Sequence, residues 1–313
     1  MSPRSALIHV DLDNLWSIAA CYGLCLPAGS ENGIYDDALP RLLGIFNEME
    51  IPATFFAVGR DVELPDNAVK LRKAIVSGHE IASHSQTHPL NFRALSEREI
   101  DHEVEQGGKS IYHGTGQKPS GFRAPGYAVS QSLIRVLIRR GYHYDSSIMP
   151  SPYGFAFRWM DAWLRRGTTA GSGLRKTQFP YFCDALASLS PYRVNPNHPE
   201  RELASSGLLE IPVAASPLLR LPFQAGVCLR LGRRYFEAQL SAFLKRPSLP
   251  LVFLLHGADA ADFQACTDPF FRRAPVFSLP FADRIGKIRI YLERIRSNYD
   301  CLTTMDFVRR IKT

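Results

Sequence analysis

The stretch Gly78-His79-Glu80-Ile81-Ala82-Ser83-His84-Ser85-Gln86-Thr87-His88-Pro89 decides how the chain is read. Gly78 stops a helix, Glu80-Ile81-Ala82 makes a short strand, and two histidines four residues apart follow at once. Imidazoles that close can face one metal ion if the backbone turns helically, and Pro89 limits how the segment continues. A third, hard ligand is needed, and Asp11 or Asp13 can supply it.

Upstream, Ala6-Leu7-Ile8-His9-Val10 reads as a buried strand running into Asp11-Leu12-Asp13-Asn14. Alternate residues of an extended segment share a side, so both carboxylates reach one cavity. Taken alone, the same acids would also suit a turn or a helix cap. Asn14 to Asn32 is expected to be a loop or lid carrying Trp16 and Tyr22. Helices are predicted over Asp37 to Glu50 and Asn67 to Ser77, with a strand over Ala53 to Val58 between them.

Downstream, Ser96 and Glu99 form a capping box that opens a helix reaching about Tyr112, whose acidic run is expected to be a solvated face. Ser120 to Arg123 reads as a strand, Ser130 to Arg140 as a helix ended by Gly141, and Tyr142 to Asp145 as the next strand. The rhythm breaks over about 147–200, taken as an elaboration of one domain spanning 1–313, with the basic stretch Trp163 to Phe179 as a substrate-loop candidate. It resumes with strands at Leu208 to Val213 and Leu249 to Leu255, the latter ending at His256. Helices at Gly232 to Lys245 and Phe281 to Arg296, a strand at Cys301 to Met305 and a closing helix from Asp306 complete it. This alternation predicts an α/β fold with seven or eight parallel strands, closing or nearly closing a barrel.

Composition bounds the function. With 45% hydrophobic and 21% charged residues the chain is ordinary globular material. The net charge of +7 favours anionic partners, but the basic residues are diffuse and no nucleic-acid motif accompanies them. Six scattered cysteines argue against a disulfide framework. Arg4, Asp11 and Asp13 interrupt any secretory h-region and no long apolar window exists, so a cytoplasmic location, extending to the inner membrane surface, is expected.

The polar groups that follow successive strands are Asp11 and Asp13, His84 and His88, Arg123, Asp145 and His256. In parallel α/β folds such strand ends converge on one face. His9, His79, His102, His113, His143 and His198 lack that support and are read as structural or exposed.

These motifs resemble the polysaccharide deacetylase family, also known as the NodB-homology or carbohydrate esterase family 4 fold, over most of the chain. The resemblance is carried by Asp11-Leu12-Asp13, His84-Ser-Gln-Thr-His88-Pro89, Arg123-Ala124-Pro125-Gly126-Tyr127, Tyr144-Asp145-Ser146-Ser147 and Leu255-His256. The Asp-x-Asp spacing departs from the family's adjacent acids and is similar to that of lipid-linked aminosugar deformylases. The resemblance implies a distorted (β/α) barrel and a divalent metal, usually zinc, held by Asp13, His84 and His88. It implies Asp11 as catalytic base, Arg123 as its electrostatic orienter, and His256 as general acid oriented by Asp145. Tyr127 would supply an oxyanion-hole N–H or a sugar platform, and Trp16 a substrate contact. The implied reaction is removal of an acetyl or formyl group from an N-acylated sugar, with undecaprenyl-phosphate-linked aminosugars as one substrate form. Apolar and basic character over Pro217 to Phe223, with Arg230, Arg233 and Arg234, would suit a bilayer surface. Hydrolysis of small linear or cyclic amides, and a catalytically silent carbohydrate-binding barrel, are the alternatives.

Overall fold

The computed structural model describes residues 4–22, 26, 31–89, 91–153, 182–203, 207–262 and 279–312. The candidate loop 163–179, Cys25 and Cys266 lie outside them.

The chain opens with strand β1 (Ser5–Asp11), helix α1 (Leu15–Tyr22), a π-helical turn (Ile34–Ala38) that runs into α2 (Leu39–Glu48), and β2 (Ala53–Ala57). Next come α3 (Gly59–Val62), α4 (Pro65–Val76), β3 (Glu80–Ser83), α5 (Glu97–Thr115), β4 (Gly121–Phe122), α6 (Gln131–Arg140) and β5 (Tyr144–Asp145). A hairpin, β6 (Tyr192–Asn195) and β7 (His198–Glu202), precedes β8 (Leu209–Glu210). The remainder is α7 (Ala225–Leu231), α8 (Arg233–Leu244), β9 (Leu251–His256), α9 (Gly257–Ala260), α10 (Phe281–Arg296), β10 (Asp300–Leu302) and α11 (Thr304–Lys312). Residues expected to form a lid after Asn14 instead begin with α1, and the unforeseen α7 precedes α8.

Seven strands run parallel in the order β9-β1-β2-β3-β4-β5-β8. One edge of β1 is divided: Ser5 to Leu7 pair with β10, and Ile8 to Asp11 pair with β2. The sheet curls without a β8–β9 ladder among the described residues, because β6 pairs antiparallel with the edge of β8 that would otherwise be free. The chain leaving β8 crosses that gap, and Ala214 N–H donates to Val252 O at 3.1 Å. The result is the distorted barrel expected.

Alternation along β1 explains both cores. Ala6, Ile8 and Val10 face outward into the helix-covered core with Phe55 and Phe253, whereas Leu7 packs inside with Phe56, Tyr144, Val252, Phe307 and Val308. Burial on both faces is what parallel strands require. Helix α11 thus closes one end of the barrel, leaving the C-terminal strand ends to form the other. Gly121 is needed for this packing, since a Cβ there would lie 1.8 Å from Tyr144 Cζ.

The Ser96 capping box is present, with Glu99 N–H donating to Ser96 Oγ and Ser96 N–H to Glu99 Oε2. Its helix is not acidic on the solvent face alone. Glu103 is buried and accepts from Gln86 N, Thr87 N and Thr87 Oγ1 at 3.0, 2.8 and 2.7 Å. It therefore ties α5 to the turn that carries the two histidines.

Candidate metal centre

Asp13 follows β1, and His84 and His88 follow β3, so strand pairing through β2 brings the three together at the barrel mouth. Asp13 Oδ1 lies 3.2 Å from His84 Nε2 and 3.2 Å from His88 Nε2. The histidine turn is not helical: Ser85 and His88 have φ of 67° and 49°, a costly backbone for residues with a Cβ. Glu103 holds it from below, Ser85 Oγ accepts His88 N–H at 3.1 Å, and Gly107 on α5 lets Ser85 approach, where a Cβ would sit 2.8 Å from the Ser85 carbonyl carbon.

The donor set fits a cation. His84 Nδ1 lies 2.7 Å from the Arg123 carbonyl oxygen, which only accepts, so Nδ1 carries the hydrogen and Nε2 presents a lone pair. That lone pair faces a buried carboxylate oxygen that has no hydrogen-bond partner. Two acceptors so placed repel unless positive charge lies between them. The same geometry acts on titration. Burial alone would raise the Asp13 pKa, but His88 and His84 hold it well below the usual carboxylate value. Burial would likewise lower His84, and Asp13 raises it instead.

Beside this triad sits the second carboxylate. Arg123 is fully buried, and its Nη1 donates to Asp11 Oδ1 at 2.6 Å while its Nε donates to Ser146 O at 2.8 Å. The guanidinium also lies over Phe56, 4.0 Å from the ring centroid. The other oxygen of Asp11, Oδ2, faces His256 Nε2 at 3.8 Å, because β9 pairs with β1 in the register Asp11 opposite His256. Sequence reading therefore named a set that the sheet does assemble: Asp11, Asp13, His84, His88, Arg123 and His256 share one mouth.

Asp145 differs from expectation. Its hydrogen-bond partners are Ser147, whose Oγ donates to Oδ1 at 2.6 Å, and Glu210, its neighbour in register on β8. Burial raises Asp145 to about 6 and Glu210 well above its ordinary value, so the pair retains a shared proton. The imidazole of His256 is instead fixed by Asp259. The His256 ring accepts the Asp259 backbone N–H, while the His256 backbone N–H donates to Asp259 Oδ2 at 2.9 Å. The orienting partner lies three residues on, not across the barrel.

Tyr127 stands at the mouth with φ 58°, but its N–H donates to Ala124 O at 3.1 Å and its hydroxyl to Gln224 Oε1 at 3.2 Å. The N–H expected in an oxyanion hole is thus engaged within its own turn. Trp16, expected to contact substrate, donates from Nε1 to Asp61 Oδ1 at 2.8 Å, and Arg60 covers its ring at 4.4 Å. Asp61 is buried, is raised to about 6 by that burial, and also accepts from Asn14 Nδ2 at 3.1 Å. Asp61, Glu103, Asp259 and His9 were missed as contributors. For His9 a signal existed: it lies two residues before Asp11 on β1, hence on the same face.

The fold and the site together define a class: a curled parallel α/β barrel whose strand ends bring one carboxylate and two imidazoles around a cation position. The polysaccharide deacetylase profile matches residues 29–144, and over that stretch the chain is similar to this family, the NodB-homology or carbohydrate esterase family 4 group. Over 162 residues it is 27% identical to a peptidoglycan deacetylase of Helicobacter pylori, covering 50% of this chain and 54% of that protein. Over 72 residues it is 32% identical to a chitooligosaccharide deacetylase of Sinorhizobium fredii, covering 23% and 32% of the two chains. The chain thus spans about a third to a half of these curated relatives. A crystal structure from Mycobacterium smegmatis, provisionally described as a polysaccharide deacetylase, shares the fold at TM-score 0.63 and 17% identity, covering 98% of this chain and 90% of that one.

Proposed function

We propose that this protein is a divalent-metal-dependent hydrolase that removes the N-acyl group, acetyl or formyl, from an aminosugar. The observation that carries the reading is the meeting of Asp13, His84 and His88 beside a separate Asp11–His256 pair. A cation held by Asp13, His84 and His88, with zinc the expected ion for two imidazoles and one carboxylate, would polarise the acyl carbonyl and acidify water.

The protein's own groups supply the proton traffic. Asp11, held in place by Arg123, accepts a proton from the attacking water. His256 stands on the other side of Asp11 and donates a proton to the departing amine nitrogen. The Asp259 backbone N–H, which donates to the ring, keeps the imidazole from rotating between these events.

Support for a lipid-linked aminosugar, and for a cytoplasmic protein working at the inner membrane face, comes from the exposed surface of the turn and helices that follow β8. Leu218, Leu219 and Leu231 are 87%, 58% and 61% exposed, and Arg233 and Arg234 are exposed at the start of α8. Gln224, which accepts the Tyr127 hydroxyl, connects that turn to the site. Leucines beside arginines suit an anionic bilayer. Among the described residues no helix is long and apolar enough to cross a membrane.

The test is release of acetate or formate by protein stripped with chelator and reloaded with zinc, cobalt or manganese. Chitooligosaccharides, a muramyl-glycan fragment and undecaprenyl-phosphate-linked N-acetyl and N-formyl aminosugars are the substrates. Metal-restored turnover of any N-acyl sugar is expected. Turnover of small cyclic amides alone would overturn the sugar reading, and turnover of free oligosaccharides alone would overturn its lipid-linked form.

A further inference from the structure

A polar column descends from the base through the barrel interior. Arg123 Nη2 lies 2.6 Å from His9 Nδ1, His9 Nε2 lies 2.8 Å from Thr304 Oγ1, and Thr304 Oγ1 lies 2.9 Å from Thr54 Oγ1. Thr54 Oγ1 then lies 3.1 Å from Glu80 Oε2, and Tyr144 donates its hydroxyl to Glu80 Oε1 at 2.8 Å. The donors can be ordered. A guanidinium only donates, so His9 Nδ1 must accept and Nε2 must hold the hydrogen. That hydrogen goes to Thr304, the Thr304 hydroxyl to Thr54, and the Thr54 hydroxyl to Glu80.

The column is fully buried from Arg123 to Thr54, and its third member comes from the first turn of α11, at the far end of the chain. Glu80 also accepts Met305 N–H at 2.8 Å, anchoring the same helix. Burial and the neighbouring Arg123 charge keep His9 neutral. It is therefore not a reserve acid, and its use is geometric.

We propose that His9 is a positioning residue for the Arg123–Asp11 pair, fixing the plane of the guanidinium from behind, and that helix α11 completes the site by fixing His9 through Thr304. Arg123 Nη2 has two partners, His9 Nδ1 and Ser146 Oγ, the latter at 2.9 Å. Removing His9 leaves the group free to tilt toward Ser146 and to draw Nη1 away from Asp11. The consequence for turnover rests on the proposed hydrolase activity, whereas the tautomer and the guanidinium restraint do not.

Nitrogen NMR on the full chain, loaded with zinc, reads the restraint without substrate. In the wild type, His9 should show a protonated Nε2 and an unprotonated Nδ1, with Arg123 Nη hydrogens in slow exchange. His9→Phe should average the Arg123 Nη signals and lower kcat for acetate release from penta-N-acetylchitopentaose by about 100-fold, the scale of a small misplacement, with KM nearly unchanged. His9→Gln, which can accept from Arg123 and donate to Thr304, should recover most of both. Thr304→Val should weaken the slow exchange, and Thr304→Ser should restore it. Unaltered Arg123 signals in His9→Phe, or in Thr304→Val should His9→Phe fail to fold, would overturn the proposal. A wild type that shows the predicted signals but releases neither acetate nor formate from any substrate counts against the hydrolase reading and leaves the positioning role upheld.

Discussion

Asp11 is held between two side chains through different oxygens: Oδ1 receives Arg123 at 2.6 Å, and Oδ2 looks toward His256 Nε2 at 3.8 Å. The shorter contact is a buried ion pair, and the longer is beyond hydrogen-bond distance, so Asp11 and His256 do not satisfy each other. Asp11→Asn should keep the metal, since Asp13 and the histidines are untouched, while kcat falls by about 100-fold or more. His256→Ala should do the same. The double variant should lose little beyond the worse single one, because the two act on one proton path. Steady-state kinetics with metal content measured on the same samples checks this, and additive losses would contradict it.

Arg123 is a buried charge whose side-chain hydrogen bonds end on Asp11, His9 and Ser146. Arg123→Met would leave Asp11 buried without its partner, a loss of about 3–5 kcal/mol in stability. Arg123→Lys should recover only a part, since one ammonium cannot span these positions. Urea denaturation of both variants checks the order; equal stability of Arg123→Met and wild type would refute it.

His79 is buried between Phe46 and Phe55 and accepts Ala53 N–H on Nδ1 at 3.1 Å. Burial lowers its pKa to about 4 from an ordinary value of 6.5. A base with a depressed folded pKa gives stability that is whole above the unfolded value and drains as pH falls from 6.5 toward 4. The total is about 3 kcal/mol at 1.4 kcal/mol per unit. His79→Asn should therefore lose less stability than wild type across that interval, measured by urea melts at half-unit steps. Parallel curves would assign the acid sensitivity elsewhere.

Gly121 leaves the space through which the Tyr144 ring reaches Glu80. Gly121→Ala should displace that ring and cost about 1–3 kcal/mol through overpacking, possible to detect as a lower thermal midpoint. Gly44, where an added Cβ would meet nothing, is the control: Gly44→Ala in mid-α2 should be neutral or stabilising.

The parallel strands and the ligand triad were legible because they depend on local signals: β-branched and aromatic runs, Gly78, the His84–His88 spacing and acids at the end of β1. What could not be read was set by pairing across the sheet. Asp145 looked like a partner for His256 because both end strands, but the register places Glu210 beside it, and a local cap three residues on gives His256 Asp259 instead. Trp16 resembled a ligand platform from its place after the acids, and its partner Asp61 lies on a helix that follows a different strand. The hairpin that occupies β8 and opens the barrel lies within a stretch whose pattern is irregular.

Arg123 offers both of its ends to the mouth: its carbonyl oxygen aligns the ring of His84, and its guanidinium aligns Asp11. The proposed ligand and the proposed base are consequently mounted on one bracket. A shift of the backbone after strand β4 would carry both together, so the spacing between the His84 ring and the Asp11 carboxylate would be preserved.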